Sequence, residues 1–182
     1  ALASDPAGAV TLVEPCAWTV AADPGALTFV TRHAAAGFSY RLVRRIALEG
    51  RTVTSTTEFT AERPGPIDFQ WFAHPFFALS QGRIEAQLPP GCTLPDNPGF
   101  EMSGDTLRCR RTFEAGDPGE FALLATPAGK NFHTTLTHPR LARVAFSGDF
   151  APDECPVWAN AHTFSIEPYR QLCGRNHETL RW

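Results

Sequence analysis

Phe38-Ser39-Tyr40-Arg41-Leu42 and Val53-Thr54-Ser55-Thr56-Thr57-Glu58-Phe59 decide how this chain is read. The first stretch alternates apolar and polar side chains at every step. The second does so more loosely and is rich in threonine. Period-2 alternation of β-branched and aromatic residues suits a pleated, half-buried surface rather than a helix. Glu49-Gly50 between the two stretches supplies the turn of a β-hairpin.

The same signals recur outward from this hairpin. Strands are expected over residues 27–31, 67–72, 83–88, 107–113, 121–126, 132–137, 141–147 and 163–167, with Pro127-Ala128-Gly129-Lys130 as a turn between two of them. Fourteen glycines and 16 prolines are spread along the 182 residues and leave no room for a chain of helices. Residues 89–100, rich in Pro and Gly, read as a long surface loop and not as a domain boundary. Many short strands with turn residues between them predict an all-β, antiparallel β-sandwich in a single domain over residues 1–182. With 43% hydrophobic residues, a packed core is available.

Composition excludes several functions. A net charge of −3 offers no basic footprint, so no nucleic-acid partner is expected. Apolar runs such as Trp71-Phe72-Ala73 are far shorter than a membrane span, so no membrane partner is expected either. Five cysteines without a C-x-x-C pair argue against a disulfide framework and against a thiolate zinc site. Reduced thiols predict a cytoplasmic protein. His133 and His138 fall on opposite faces of one strand and make a poor metal pair. Asp149, Asp153 and Glu154 match no EF-hand spacing and read as a solvated acidic turn. No P-loop, dinucleotide fingerprint or nucleophile elbow is present, and neither metal nor cofactor is expected.

Two short stretches carry candidate chemistry. In Trp71-Phe72-Ala73-His74-Pro75-Phe76-Phe77 a proline interrupts a strand next to a histidine. Such a break re-aims the neighbouring side chain and can turn an imidazole into a cavity. A histidine satisfied within an aromatic core is the alternative. In Thr163-Phe164-Ser165-Ile166-Glu167-Pro168-Tyr169, strand periodicity sends Phe164 and Ile166 to one face and Ser165, Glu167 and Tyr169 to the other. A solvated glutamate on an amphipathic strand is the alternative there. The aromatic residues Trp71, Phe76, Trp158 and Tyr169 flank both positions, and flat rings beside a few polar groups suit a sugar.

Together, His74-Pro75-Phe76-Phe77, the hairpin ahead of it and Glu167-Pro168-Tyr169 resemble the aldose 1-epimerase, or galactose mutarotase-like, superfamily. The resemblance implies an antiparallel supersandwich and a metal-free acid/base mechanism on a small-molecule sugar. By carry-over, His74 is the general acid toward the ring oxygen and Glu167 the general base toward the anomeric hydroxyl. Asp117 is the candidate for the family's further substrate-binding aspartate. The family's upstream arginine and Asn-His segment have no counterpart, since Arg32-His33 lies too close to the hairpin. The chain therefore reads as an incomplete supersandwich, shortened at the N-terminus and at the C-terminus, able to self-associate through an exposed sheet edge. A non-catalytic carbohydrate-binding domain and a hexose-phosphate epimerase are the alternative functions. The mutarotase reading requires a gap for a pyranose between the pair, roughly 5–9 Å between imidazole and carboxylate by analogy with paired catalytic carboxylates. A direct hydrogen bond would leave no room for it.

Overall fold

The glycine and proline spacing that excludes long helices is matched by the backbone. The computed structural model describes residues 2–4, 10–12, 15–35, 37–63, 67–79, 84–138 and 140–182, and among these there is no helix. None of the described residues forms a helix long and apolar enough to cross a membrane. The first strands are β1 (Leu2–Ser4), β2 (Val10–Leu12), β3 (Thr19–Asp23), β4 (Ala26–Ala35), β5 (Phe38–Glu49), β6 (Thr52–Ala61) and β7 (Ile67–Phe72). Next come β8 (Phe76–Ala78), β9 (Glu85–Gln87), β10 (Phe100–Ser103), β11 (Thr106–Cys109), β12 (Glu120–Leu124) and β13 (His133–His138). Last are β14 (Ala142–Ser147), β15 (Cys155–Ala159), β16 (Thr163–Ile166), β17 (Tyr169–Arg175) and β18 (His177–Arg181). Arg83, the first residue expected in the strand over 83–88, lies outside the described residues.

Packing groups the chain into two compact units. The first comprises Ala1–Phe69 with Leu172–Trp182, the second Gln70–Gln171. The division falls inside β7 and β17.

The hairpin builds the first unit. β5 and β6 stay in register from Tyr40 opposite Ala61 to Glu49 opposite Thr52. Gly50, at φ 58°, opens the two-residue turn with the positive φ that a type II′ turn needs at its first central position. β4 pairs with β5 on one side and β18 with β6 on the other, giving the order β18-β6-β5-β4-β3. Ser55, Thr57, Phe59 and Leu180 are buried on one face, and Phe59 packs on Phe69 with ring centroids 3.9 Å apart. β3 is an edge strand exposed along its whole length.

The second unit holds two antiparallel sheets, β10-β11-β9-β13-β14 and β12-β15-β16-β8. Their inner faces meet through aromatic rings. Phe100 of β10 lies 6.5 Å from Phe164 of β16, and Phe146 of β14 lies 6.4 Å from Phe77 of β8. Phe100, Leu107, Leu124, Leu136, Phe164 and Ile166 are among the fully buried side chains. Burying each such side chain contributes roughly 1.5–3 kcal/mol. The turn at Pro127-Ala128-Gly129-Lys130 carries the chain from β12 to β13, from one sheet to the other rather than round a hairpin.

β15 was not among the strands expected from the sequence, because Pro156 breaks the pattern of a central strand. Proline is accommodated one residue in from the strand start, where Cys155, Val157 and Ala159 keep the buried face continuous.

Gly119 seats this sheet. Its φ is 90°, and a Cβ built there would lie 2.4 Å from the Ala159 carbonyl oxygen and 2.9 Å from Trp158 Nε1. Gly104, at φ 59°, has open space around the same position. Gly119→Ala should therefore cost about 3 kcal/mol or more, combining backbone strain with overpacking, against about 1 kcal/mol for Gly104→Ala. Urea denaturation of the two variants beside the native chain measures the difference.

Candidate functional site

Two proline breaks set the site. β7 ends at Phe72, Ala73-His74-Pro75 leaves the ladder, and β8 resumes at Phe76. β16 ends at Ile166, Glu167-Pro168 leaves the ladder, and β17 resumes at Tyr169. The chain thereby passes from the β7–β17 pair to the four-stranded sheet and back. β8 and β16 run antiparallel with Phe76 opposite Ser165. Extending that register by two residues sets His74 opposite Glu167, and by two more Phe72 opposite Tyr169. Beyond them Gln70 donates to Gln171 at 2.9 Å, in the same register.

His74 Nε2 and Glu167 Oε1 are 2.9 Å apart. The imidazole side chain is 46% exposed and the carboxylate 15%. His74 is therefore not a core histidine, and Glu167 is not a fully solvated glutamate. The separation of roughly 5–9 Å expected by analogy with carboxylates on either side of a glycosidic bond is not what the chain adopts. The physical reason is the pairing: residues facing each other across an antiparallel ladder have Cα atoms only about 4.5–5.5 Å apart, so their side chains meet. No ring fits between the two groups.

Ser165 completes the arrangement. It is fully buried, and its hydroxyl donates to the same Glu167 oxygen, Oε1, at 2.5 Å. The Glu167 backbone N–H donates to the Pro156 carbonyl at 2.9 Å. Both contacts fall on Oε1 and neither on Oε2. The alternation read from the sequence, with Ser165 and Glu167 on one face and Phe164 and Ile166 on the other, holds.

Aromatic rings surround the pair. The His74 ring lies 4.4 Å from Phe76 and 5.4 Å from Phe72. Phe72 stacks on Tyr169 at 5.6 Å and 23°, and Trp158 meets Phe76 edge-on at 6.5 Å. Burial first, and the Glu154 carboxylate second, push the Tyr169 phenol above its ordinary value, which keeps it a hydrogen-bond donor. Phe121, half-exposed, faces Trp158 from β12 and extends the row of rings.

Of the residues read from the sequence, His74, Glu167, Phe76, Trp158 and Tyr169 come together. Trp71 does not. It is turned to the other side of β7 and buried edge-on against Phe150 at 5.1 Å. Phe72, two residues from His74, takes the place Trp71 was expected to fill. The signal was available, because period-2 alternation counted back from His74 reaches Phe72.

Asp117 is engaged locally. Its carboxylate binds the Arg111 guanidinium through both oxygens and accepts the Gly119 N–H at 2.9 Å. Arg111 also lies over the Phe113 ring at 4.4 Å. Among the described residues no group of His, Cys, Asp and Glu has the arrangement to hold a metal ion.

No family model and no curated protein sequence matches the chain. Solved structures do. A galactose mutarotase-like protein from Lactobacillus casei superposes with a TM-score of 0.65 at 16% identity, over 90% of this chain and 71% of its own. A galactose mutarotase related enzyme from Lactobacillus acidophilus gives 0.63 at 12%, over 90% and 69%. A putative aldose 1-epimerase from Escherichia coli gives 0.50 at 14%, over 90% and 66%. The chain thus shares the all-β antiparallel sandwich fold of these structures, as the sequence resemblance implies.

The Arg111 guanidinium, followed by the Gly119 amide, holds the Asp117 carboxyl below its ordinary value. Its stabilisation is therefore complete above the unfolded-state value of about 3.9 and is lost as the pH falls through the folded-state value. The difference in urea midpoint between the native chain and Asp117→Asn should be full near neutrality and shrink below about pH 4. A gap that persists unchanged into acid would show that the ion pair does not account for it.

Proposed function

We propose that the chain is a carbohydrate epimerase of the aldose 1-epimerase type, with His74 as general acid and Glu167 as general base. The observation that carries this reading is the division of labour on Glu167. Oε1 holds both His74 and Ser165, which leaves Oε2 to take a proton. The pair needs no ring between its members, because the ring oxygen and the anomeric hydroxyl are bonded to the same carbon. A pyranose lying over the pair presents both oxygens to one side. Oε2 takes the anomeric proton, His74 delivers its proton to the ring oxygen, and the C1–ring oxygen bond opens. Rotation about C1–C2 exposes the other face of the aldehyde. Closure then returns the proton from the ring-oxygen hydroxyl to His74 and the Glu167 proton to the new anomeric oxygen. Phe72, Phe76, Trp158 and Tyr169 supply apolar surface for the C–H faces of the sugar.

A neutral sugar fits better than a sugar phosphate. Among the side chains placed around the pair, Phe72, Phe76, Trp158, Tyr169 and Ser165, none is an arginine or lysine that could hold a phosphate. Polarimetry on freshly dissolved aldohexoses tests the assignment. Glu167→Gln and His74→Asn should each slow anomer interconversion about 10²–10⁴-fold. Ser165→Ala should slow it about tenfold, the worth of one hydrogen bond to a charged group. Native rates in Glu167→Gln would remove this residue from the mechanism. Saturable sugar binding with no acceleration in the native chain would instead assign a carbohydrate-binding domain.

A further inference from the structure

The first unit carries polar atoms that its own fold does not satisfy. On one face of the five-stranded sheet, Val20, Phe29, Arg44 and Thr57 stand opposite one another from β3 to β6. The next row on that face sets Ile46 opposite Ser55. Arg44 Nε, Thr57 Oγ1 and Ser55 Oγ are all buried without a hydrogen-bond partner. Three such atoms at adjoining positions are unusual, since buried polar groups are almost always paired. Where this face opens toward β3, Trp18, Val20, Phe29, Arg44 and Ile46 line a groove of about 330 Å³. Trp18 and Phe29 meet there edge-on, 6.3 Å apart.

We propose that this groove is a second ligand site, for a small monocarboxylate with an apolar body. Charge complementarity selects the headgroup. Arg44 makes no ion pair among the described residues, and burial alone holds its guanidinium below the ordinary value. A carboxylate in the groove would satisfy it through paired N–H donors. One cation balances one negative charge, so a phosphate dianion would leave an uncompensated charge in an apolar setting. Trp18, Val20, Phe29 and Ile46 require the remainder of the ligand to be apolar, and the ring edges suit an aryl group.

Phenylacetate is the probe, and phenylacetamide is its neutral counterpart of the same shape. Phenylacetate should bind saturably with a Kd of about 1 mM, the scale set by its few heavy atoms. It should shift the Trp18 indole signal in NMR spectra. Phenylacetamide should bind at least about tenfold more weakly, and Arg44→Met should weaken phenylacetate by a similar factor. The methionine variant should keep its urea midpoint, because replacing an unpaired buried charge with an apolar side chain of similar volume does not destabilise. Equal binding of carboxylate and amide, or unsaturable binding, would overturn the proposal. So would a concentration-dependent dimer that Arg44→Met dissolves, which would make a second copy of the chain the occupant.

Discussion

One antiparallel register governs the candidate site. The pairing that sets Phe76 opposite Ser165 and Phe77 opposite Phe164 also sets His74 opposite Glu167 and Phe72 opposite Tyr169. Both strands are broken by a proline at the same level, so the two ionisable side chains sit where ladder hydrogen bonds are missing. The imidazole and carboxylate do not hold the strands together. An ion pair with one member nearly half exposed contributes about 0–1 kcal/mol. Phe164, Ile166 and Leu124, buried behind the same strands, contribute roughly 1.5–3 kcal/mol each. Packing fixes the register, and the register delivers the pair.

That order of causes explains which readings from the sequence succeed. The hairpin was legible because its alternation is long and its turn contains the glycine that the turn type demands. His74 and Glu167 were legible as positions because a proline beside each marks a break in an otherwise regular strand. Their closeness was not. It depends on which strand pairs with which across a separation of 93 positions, and alternation within one strand is silent about pairing. The analogy used to estimate the separation assumed groups approaching a sugar from opposite sides. Groups opposed across a single ladder approach each other instead.

Trp71 and Phe72 make a similar point on a smaller scale. The two rings are adjacent in sequence, and composition alone does not choose between them. Parity does: Phe72, His74 and Phe76 share one side of the chain, while Trp71 goes to Phe150. The unsatisfied atoms at Arg44, Thr57 and Ser55 lay beyond any reading of the sequence, because three unremarkable strand residues acquire meaning only when the sheet sets them side by side.

The paired breaks also separate the site from most of the chain that lies between them. Loops joining β8 to β16 can lengthen or shorten without moving His74 relative to Glu167, provided the two strands keep their pairing. A single residue inserted between His74 and Phe76 is another matter, since it reverses the side to which the imidazole points while leaving the sheet intact. The connecting loops, unlike the paired strands, can therefore change in size without disturbing the pair. Two short spacings, three residues at one break and two at the other, set the side to which each ionisable group points.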